Sequence, residues 1–336
     1  MTPIRLGTRR SALATAQASQ FAAELTAATG REVELVLITS EGDTSRASLS
    51  QMGGTGVFAT RLREALLNNE CDILVHSLKD LPVQQPAGLV IGATPVRADA
   101  RDVLVTRDGL MLEELPAGAV IGTGSPRRAA QIARVNQSVV IRDIRGNIDS
   151  RLQRVREGEL DALVLAAAGL SRLDAVGELV AVPFDLEQWP TAPGQGSLAV
   201  ELRADAPPEL HAQIALMDDL PTRLAVSAER QVLASLEAGC HAPVAAAARF
   251  VADRDEMLLA AVVYDNDGEK MFAEVDSCSF SAILQVDSEY ARRSDIGNGA
   301  DLVASNEALS EALALGDEIA GRLLRAGAGA LIPRRD

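Results

Sequence analysis

The sequence predicts an α/β protein: two αβ units and then a small α+β domain near the C-terminus. Short apolar runs alternate with helix-forming stretches from Ile4 to Leu170, the pattern of strands joined by crossover helices. Several of these runs, Ile73-Leu74-Val75 above all, end abruptly in polar turns, as buried sheet strands do. Past Ala225 the order becomes helix, two strands and a long helix, a smaller arrangement of its own. At 336 residues, 47% hydrophobic and 24% charged, the chain is globular and long enough for two or three domains.

Ile4-Arg5-Leu6-Gly7 is the first predicted strand, and Ser11 caps an alanine-rich helix from Ala12 to Ala28. Arg9 and Ser11 thus lie where a strand end meets a helix N-terminus, a place suited to anions. Glu34 to Thr39 is the next strand, and Gly53-Gly54-Thr55-Gly56 feeds a helix from Phe58 to Asn68. That glycine loop is not a Walker loop, since no Gly-Lys-Ser/Thr follows. Then comes the Ile73 strand with His76-Ser77-Leu78-Lys79-Asp80-Leu81-Pro82 behind it. In open α/β sheets ligands sit outside the carboxyl ends of strands, which places Lys79 and Asp80 at a substrate. Only two of the 32 basic residues are lysines, Lys79 and Lys270, so a lysine in this turn is conspicuous. Leu89 to Gly92 is the strand that follows it.

Arg101 to Val105 opens the second unit. Val120-Ile121-Gly122 is a strand, and Ser125-Pro126 starts a helix that runs to Val135 with Arg127 and Arg128 in its first turn. Arginines there oppose the helix dipole, so an anion at that end explains them better than helix stability does. Val139 to Ile141 is a strand, Arg145-Gly146-Asn147 a turn capped by Asn147, and the following helix carries Arg151. Ala162 to Leu165 is a strand ahead of Arg172. Six arginines just past strand ends, in a chain of net charge −15, point to a local cationic cleft for a polyanionic ligand. Trp189 to Gly196, which includes Gln195, is a rigid Pro- and Gly-rich crossing, with a strand from Leu198 to Glu201 after it. Strands near Leu258–Val263 and Met271–Val275 and a helix from Glu307 to Arg325 make the tail, and Ser279 to Asn306 reads as a polar surface insertion.

The net charge would repel a duplex phosphate backbone, and 3% aromatics leave few platforms for stacking bases. No run approaches the roughly 18 apolar residues of a membrane span. Cys71, Cys240 and Cys278 form no disulfide framework and, with His76, His211 and His241, no metal-ligand spacing. These features predict a cytoplasmic protein with a small-molecule substrate, no nucleic acid, no membrane and no metal. Cys71 leads straight into a core strand and reads as structural. Cys240, in a Gly-Cys-His turn, is open to either reading, buried filler or reactive thiol.

Eight ordered segments carry a resemblance. They are Leu6-Gly7-Thr8-Arg9-Arg10-Ser11, Gly53 to Phe58, His76 to Pro82, Gly122 to Arg128, Ile144 to Asn147 with Arg151, Ala168-Gly169-Leu170-Ser171-Arg172, Ala192-Pro193-Gly194-Gln195-Gly196 and Gly239-Cys240-His241-Ala242-Pro243. Over nearly its whole length the chain resembles the hydroxymethylbilane synthase, or porphobilinogen deaminase, family. The resemblance implies two periplasmic-binding-protein-like αβ domains around a cleft plus a small C-terminal α+β domain. Its boundaries here would be 1–97 with 198–218, then 98–197, then 219–336. It implies a monomeric transferase that joins four porphobilinogen molecules head to tail, releases ammonia and yields hydroxymethylbilane. The primer would be a dipyrromethane cofactor in thioether linkage to Cys240. The catalytic carboxylate falls on Asp80. Lys79, Ser125, Arg127, Arg128 and Arg145 would bind the cofactor, and Arg9, Ser11, Arg145, Arg151, Arg172 and Gln195 the substrate. Porphobilinogen carries an acetate and a propionate, so the growing product multiplies the carboxylates that such arginines would hold.

Overall fold

The computed structural model describes residues 2–39, 57–239, 242–251, 255–280 and 299–333, with backbone alone at 57–58 and 299–304. Two five-stranded mixed sheets and one three-stranded antiparallel sheet organise them. The first sheet holds β1 (Ile4–Arg9), β2 (Val33–Ile38), β3 (Ile73–Ser77), β4 (Leu89–Ala93) and β10 (Leu198–Arg203). Its order is β2-β1-β3-β10-β4, parallel across the first three strands and antiparallel on both sides of β10. The second sheet repeats the plan with β5 (Asp102–Thr106), β6 (Val120–Gly122), β7 (Val140–Arg142), β8 (Ala162–Ala166) and β9 (Val180–Pro183). Its order is β7-β6-β8-β5-β9, with β5 as the antiparallel insert.

The helices start where side chains can cap them. Ser11 accepts from Ala14 N at the head of α1 (Ala12–Thr29), and Leu25 and Phe21 of that helix bury against β1 and β3. The helix α2 (Val57–Leu67) sets Leu62, Ala65 and Leu66 against the sheet. Ser125 accepts from Arg128 N ahead of α3 (Pro126–Val135), and Asn147 from Ser150 N ahead of α4 (Ile148–Arg156). Such caps are each worth about 1 kcal/mol. Helix α5 (Ala167–Leu173) follows β8 directly.

Two linkers, 94–101 and 184–197, join the sheets side by side. Ala98 N donates to Gly196 O at 3.2 Å, and Arg97 Nε to Gln195 O at 2.8 Å. The C-terminal part holds α7 (Leu220–Ser235), β11 (Val244–Val251), β12 (Glu256–Tyr264), β13 (Met271–Ser279) and α8 (Gly299–Ala326), and α7 and α8 share a core with β11 and β12. A short helix α6 (Pro208–Ala215) precedes it.

Six elements differ from the sequence reading. The strands β9 and β11 and the helix α6 are additional, α7 begins at Leu220, β13 runs on to Ser279 and α8 begins at Gly299, so the expected polar insertion starts with a strand residue and the buried Phe280 and ends, over 299–306, in helix. Strand β11 is half alanine, which hides it from β-propensity. The Gly53–Gly56 loop, residues 281–298, and Cys240 with His241 lie outside the described residues.

Candidate active site

Strand β3 hands the chain to a single 3-10 turn, Leu78–Asp80, which puts Lys79 and Asp80 at the carboxyl edge of the first sheet. The 192–197 loop fixes this turn from one side. Leu78 N donates to Ser197 O at 3.0 Å. Gly194 presses against the turn, and a Cβ there would stand 3.1 Å from Leu78 Cγ and 3.4 Å from Lys79 N. Its φ of +77° also favours glycine. Asp80 is exposed, and it lines a narrow crevice with Arg9, Ser11, Gln17, His76 and Ser77. Gln17 is buried and exchanges hydrogen bonds with Ser77 Oγ at 3.2 and 3.3 Å. Behind the crevice, His76 Nε2 lies 3.0 Å from Glu201 Oε2 but out of line for a hydrogen bond, and Arg63 binds the same carboxylate. Burial would raise Glu201, yet His76 and Arg63 hold it down at about 2.

Lys79 points to a second centre. Its Nζ donates to Gln195 Oε1 at 3.2 Å. Gln195 Nε2 in turn donates to Ala100 O and to Asp102 Oδ1, both at 2.8 Å. Asp102 is fully buried at the start of β5 and accepts from four side chains. Besides Gln195, these are Arg128 Nη2 at 2.6 Å, Arg127 Nη2 at 2.9 Å and Trp189 Nε1 at 3.0 Å. Burial opposes its charge, but Arg127 and Arg128 hold the carboxyl far below the usual carboxylate range. The same burial, then repulsion from Arg128, draws Lys79 down to about 8.

The anion that the two arginines of α3 call for is thus supplied in part by the chain itself. One carboxylate faces three cations, however, which leaves an excess of positive charge. Among the described residues Arg127 Nε and Arg128 Nε are buried without a hydrogen-bond partner, and so is Arg145 Nε, which stands 3.9 Å from Asp143 Oδ1. Arg151 donates to Gly146 O at 2.8 Å, and among the described residues no carboxylate lies at ion-pair distance from it. Burial, Arg128 and Arg145 together draw Arg151 down to about 10. Gly124 lets this wall close up, since a Cβ there would stand 2.8 Å from Ile144 O. Ser125, half-buried beside it, spends its hydroxyl as the cap of α3.

Of the residues singled out in the sequence, Arg9, Ser11 and Asp80 share the crevice, and Lys79, Gln195, Arg127 and Arg128 gather around Asp102. Arg145 and Arg151 stand with Arg128. Arg172 is apart: it lines a separate cavity of roughly 650 Å³ beside the linkers, with Gln20, Glu24 and Arg97. Sequence reasoning missed Asp102. Its signal is a lone acid at the head of the apolar run Val103-Leu104-Val105, which foretells a buried carboxylate but not its partners. Cys71, by contrast, is a core residue as expected, with its thiol pushed up to about 11 by burial. Among the described residues no helix is long and apolar enough to cross a membrane, and no acid, histidine or cysteine cluster could hold a metal.

Residues 4–210 match the family model "Porphobilinogen deaminase, dipyromethane cofactor binding domain", and residues 223–285 match "Porphobilinogen deaminase, C-terminal domain". The porphobilinogen deaminase of Leifsonia xyli subsp. xyli is 48% identical over 335 residues, covering 98% of this chain and 94% of that protein. That of Thermobifida fusca is 50% identical over 313 residues, covering 91% and 97%. A distant likeness to the periplasmic VFT2 domain of Bordetella pertussis BvgS has 15% identity and a TM-score of 0.37 over 63% of this chain and 85% of that one. With two family models in chain order and full-length relatives at about half identity, the chain belongs to the porphobilinogen deaminase family.

Proposed function

We propose that the chain condenses four porphobilinogen molecules into hydroxymethylbilane with Asp80 as the catalytic carboxylate. The observation that carries this reading is the excess of guanidinium groups at the carboxyl ends of the second sheet, beside a turn that presents one exposed carboxylate. Loss of ammonia from the substrate leaves a cation, and the pyrrole formed on C–C bonding is also cationic. A fixed carboxylate at Asp80 stabilises that charge and can receive and return the protons.

The donor set suits a dipyrromethane. Its acid side chains need planar, two-pronged donors, and the buried Nε atoms of Arg127, Arg128 and Arg145 are donors without partners among the described residues. Lys79, Ser125, Arg127, Arg128 and Arg145 would hold it. When bound through the Cys240 sulfur, this group supplies the nucleophilic pyrrole that starts the product and keeps it tethered. Arg9, Ser11, Arg145 and Arg151 would orient the substrate's carboxylates, and Gln195, whose amide hydrogens go to Ala100 and Asp102, would serve the substrate by holding Lys79. We assign Arg172 to substrate as well, but at the linker cavity, where Glu24 partly balances it. The division 1–97 with 198–218, 98–197 and 219–336 is supported by the strand ranges of the three sheets. Three scattered cysteines support a reducing, cytoplasmic setting and the acidic net charge the absence of a nucleic-acid partner, while a monomer with no membrane partner is what the family resemblance implies.

Intact-protein mass spectrometry tests the proposal. Purified enzyme should exceed its sequence mass by one dipyrrole, the increment should grow by single pyrroles when porphobilinogen is added, and Cys240→Ser should lack it. An active enzyme with no increment would sink the cofactor assignment. A second expectation concerns pH. With Lys79 lowered to about 8, its charge fades as pH rises through that value. Turnover should therefore fall on the alkaline side as the dipyrrole's carboxylates lose a cation, and Lys79→Arg, which stays charged, should lack that limb. An identical alkaline limb in the variant would free Lys79 from anion binding.

A further inference from the structure

Helix α7 carries two charged residues on its buried side. Glu229 binds the linkers: its carboxylate accepts from Arg97 Nη1 at 2.7 Å and Nη2 at 3.0 Å, from Gly194 N at 2.7 Å and from Ala248 N at 2.8 Å. Arg230, next in sequence and 8% exposed, reaches elsewhere. Its Nη1 donates to Leu78 O at 3.1 Å and Leu81 O at 3.0 Å, and its Nη2 donates to Pro82 O at 2.8 Å. These carbonyls bracket Lys79 and Asp80 on both sides.

A 3-10 turn of three residues holds itself weakly, and its closing bond here is Leu81 N to Leu78 O at 3.1 Å. Asp80 is exposed and has little packing of its own, so its bearing depends on the backbone beneath it. One planar guanidinium collecting three carbonyls around that backbone fixes it in a way a point charge cannot. We propose that Arg230 is the positioning residue for Asp80 and refers the catalytic turn to helix α7, the helix that also grips the linkers. The inference rests on reading Asp80 as the catalytic carboxylate. It adds that the C-terminal part of the chain sets the geometry of the first sheet's active turn, besides carrying Cys240 in sequence.

A double-mutant cycle under single-turnover conditions tests it, with Arg230→Gln and Arg230→Lys in the full enzyme carrying its dipyrrole, each alone and combined with Asp80→Glu. Arg230→Gln should keep the dipyrrole mass increment and a near-normal KM while lowering the turnover rate about 10- to 100-fold, the scale of an ångström's misplacement. Arg230→Lys should recover part of that loss. In the Asp80→Glu background, where the carboxylate is already displaced by a methylene, the Arg230→Gln loss should shrink to within about three-fold. A merely structural role would leave the two losses additive, and additivity would overturn the proposal. So would a wild-type rate in Arg230→Gln, a change confined to KM, or failure of both single variants to fold. An Asp80→Asn enzyme with normal turnover would sink the underlying reading. A dead Asp80→Asn beside an unaffected Arg230→Gln would sink this inference alone.

Discussion

Replacing Asp80 by asparagine is expected to leave a folded protein that still carries its dipyrrole and to lower turnover at least about a hundred-fold. Asparagine keeps the shape of the exposed side chain, so neither the turn nor the cationic wall has reason to move. What disappears is the negative charge facing the cation formed when ammonia leaves, and with it the only proton acceptor we assign there. The loss should fall on kcat, because Arg9 and the arginines of the second sheet still hold the carboxylates of the substrate. Steady-state kinetics with intact-mass analysis of the same sample separates the two effects. A variant that turns over at the wild-type rate would remove Asp80 from the mechanism, and a variant without its dipyrrole would make it an assembly residue instead.

The second large effect belongs to Asp102. Asp102→Asn preserves volume but leaves Arg127 and Arg128 buried without the carboxylate that both bind. Breaking one partner out of a buried ion cluster typically destabilises by about 3–5 kcal/mol. A urea titration should show a clearly lower midpoint. The exposed pair Arg101–Asp99 is the contrast, since opening it with Asp99→Asn should change stability by less than about 1 kcal/mol. The pH dependence has a definite sign. The folded-state pKa of Asp102 is depressed, so its stabilisation is present above the ordinary aspartate range and is lost as pH falls through the acid region. Asp102→Asn should therefore flatten the acid limb of the stability curve. An unchanged urea midpoint would mean that the two guanidinium groups find other partners without it.

The helix caps show what a sequence makes legible. Ser11, Ser125 and Asn147 each accept the backbone N–H that their positions foretell, because capping is a local matter of a few residues. The alternation of strand and helix was equally readable, and so was the placing of Lys79 and Asp80 at a strand end. Contacts between distant segments were not. Asp102 sits 25 and 26 residues from its arginines and 93 from Gln195, and no local pattern announces such a meeting. Glu229 and Arg230 left a fainter trace. They share the helical face of Val226 and Leu233, at spacings of three, four and seven, where charges are out of place unless paired. The resemblance to a family supplied the roles of Asp80 and Cys240, which residue types alone left open.

The position of β10 has a consequence for how the chain comes into being. That strand lies between β3 and β4, yet more than a hundred residues separate it from β4 in sequence. On the ribosome, both flanking strands emerge with open edges and wait while the whole second sheet is made. The sheet begun first is therefore completed only after the second, and until Arg203 is out its unpaired backbone is exposed to neighbours. Nascent chains that stall in between are the ones most in need of a chaperone.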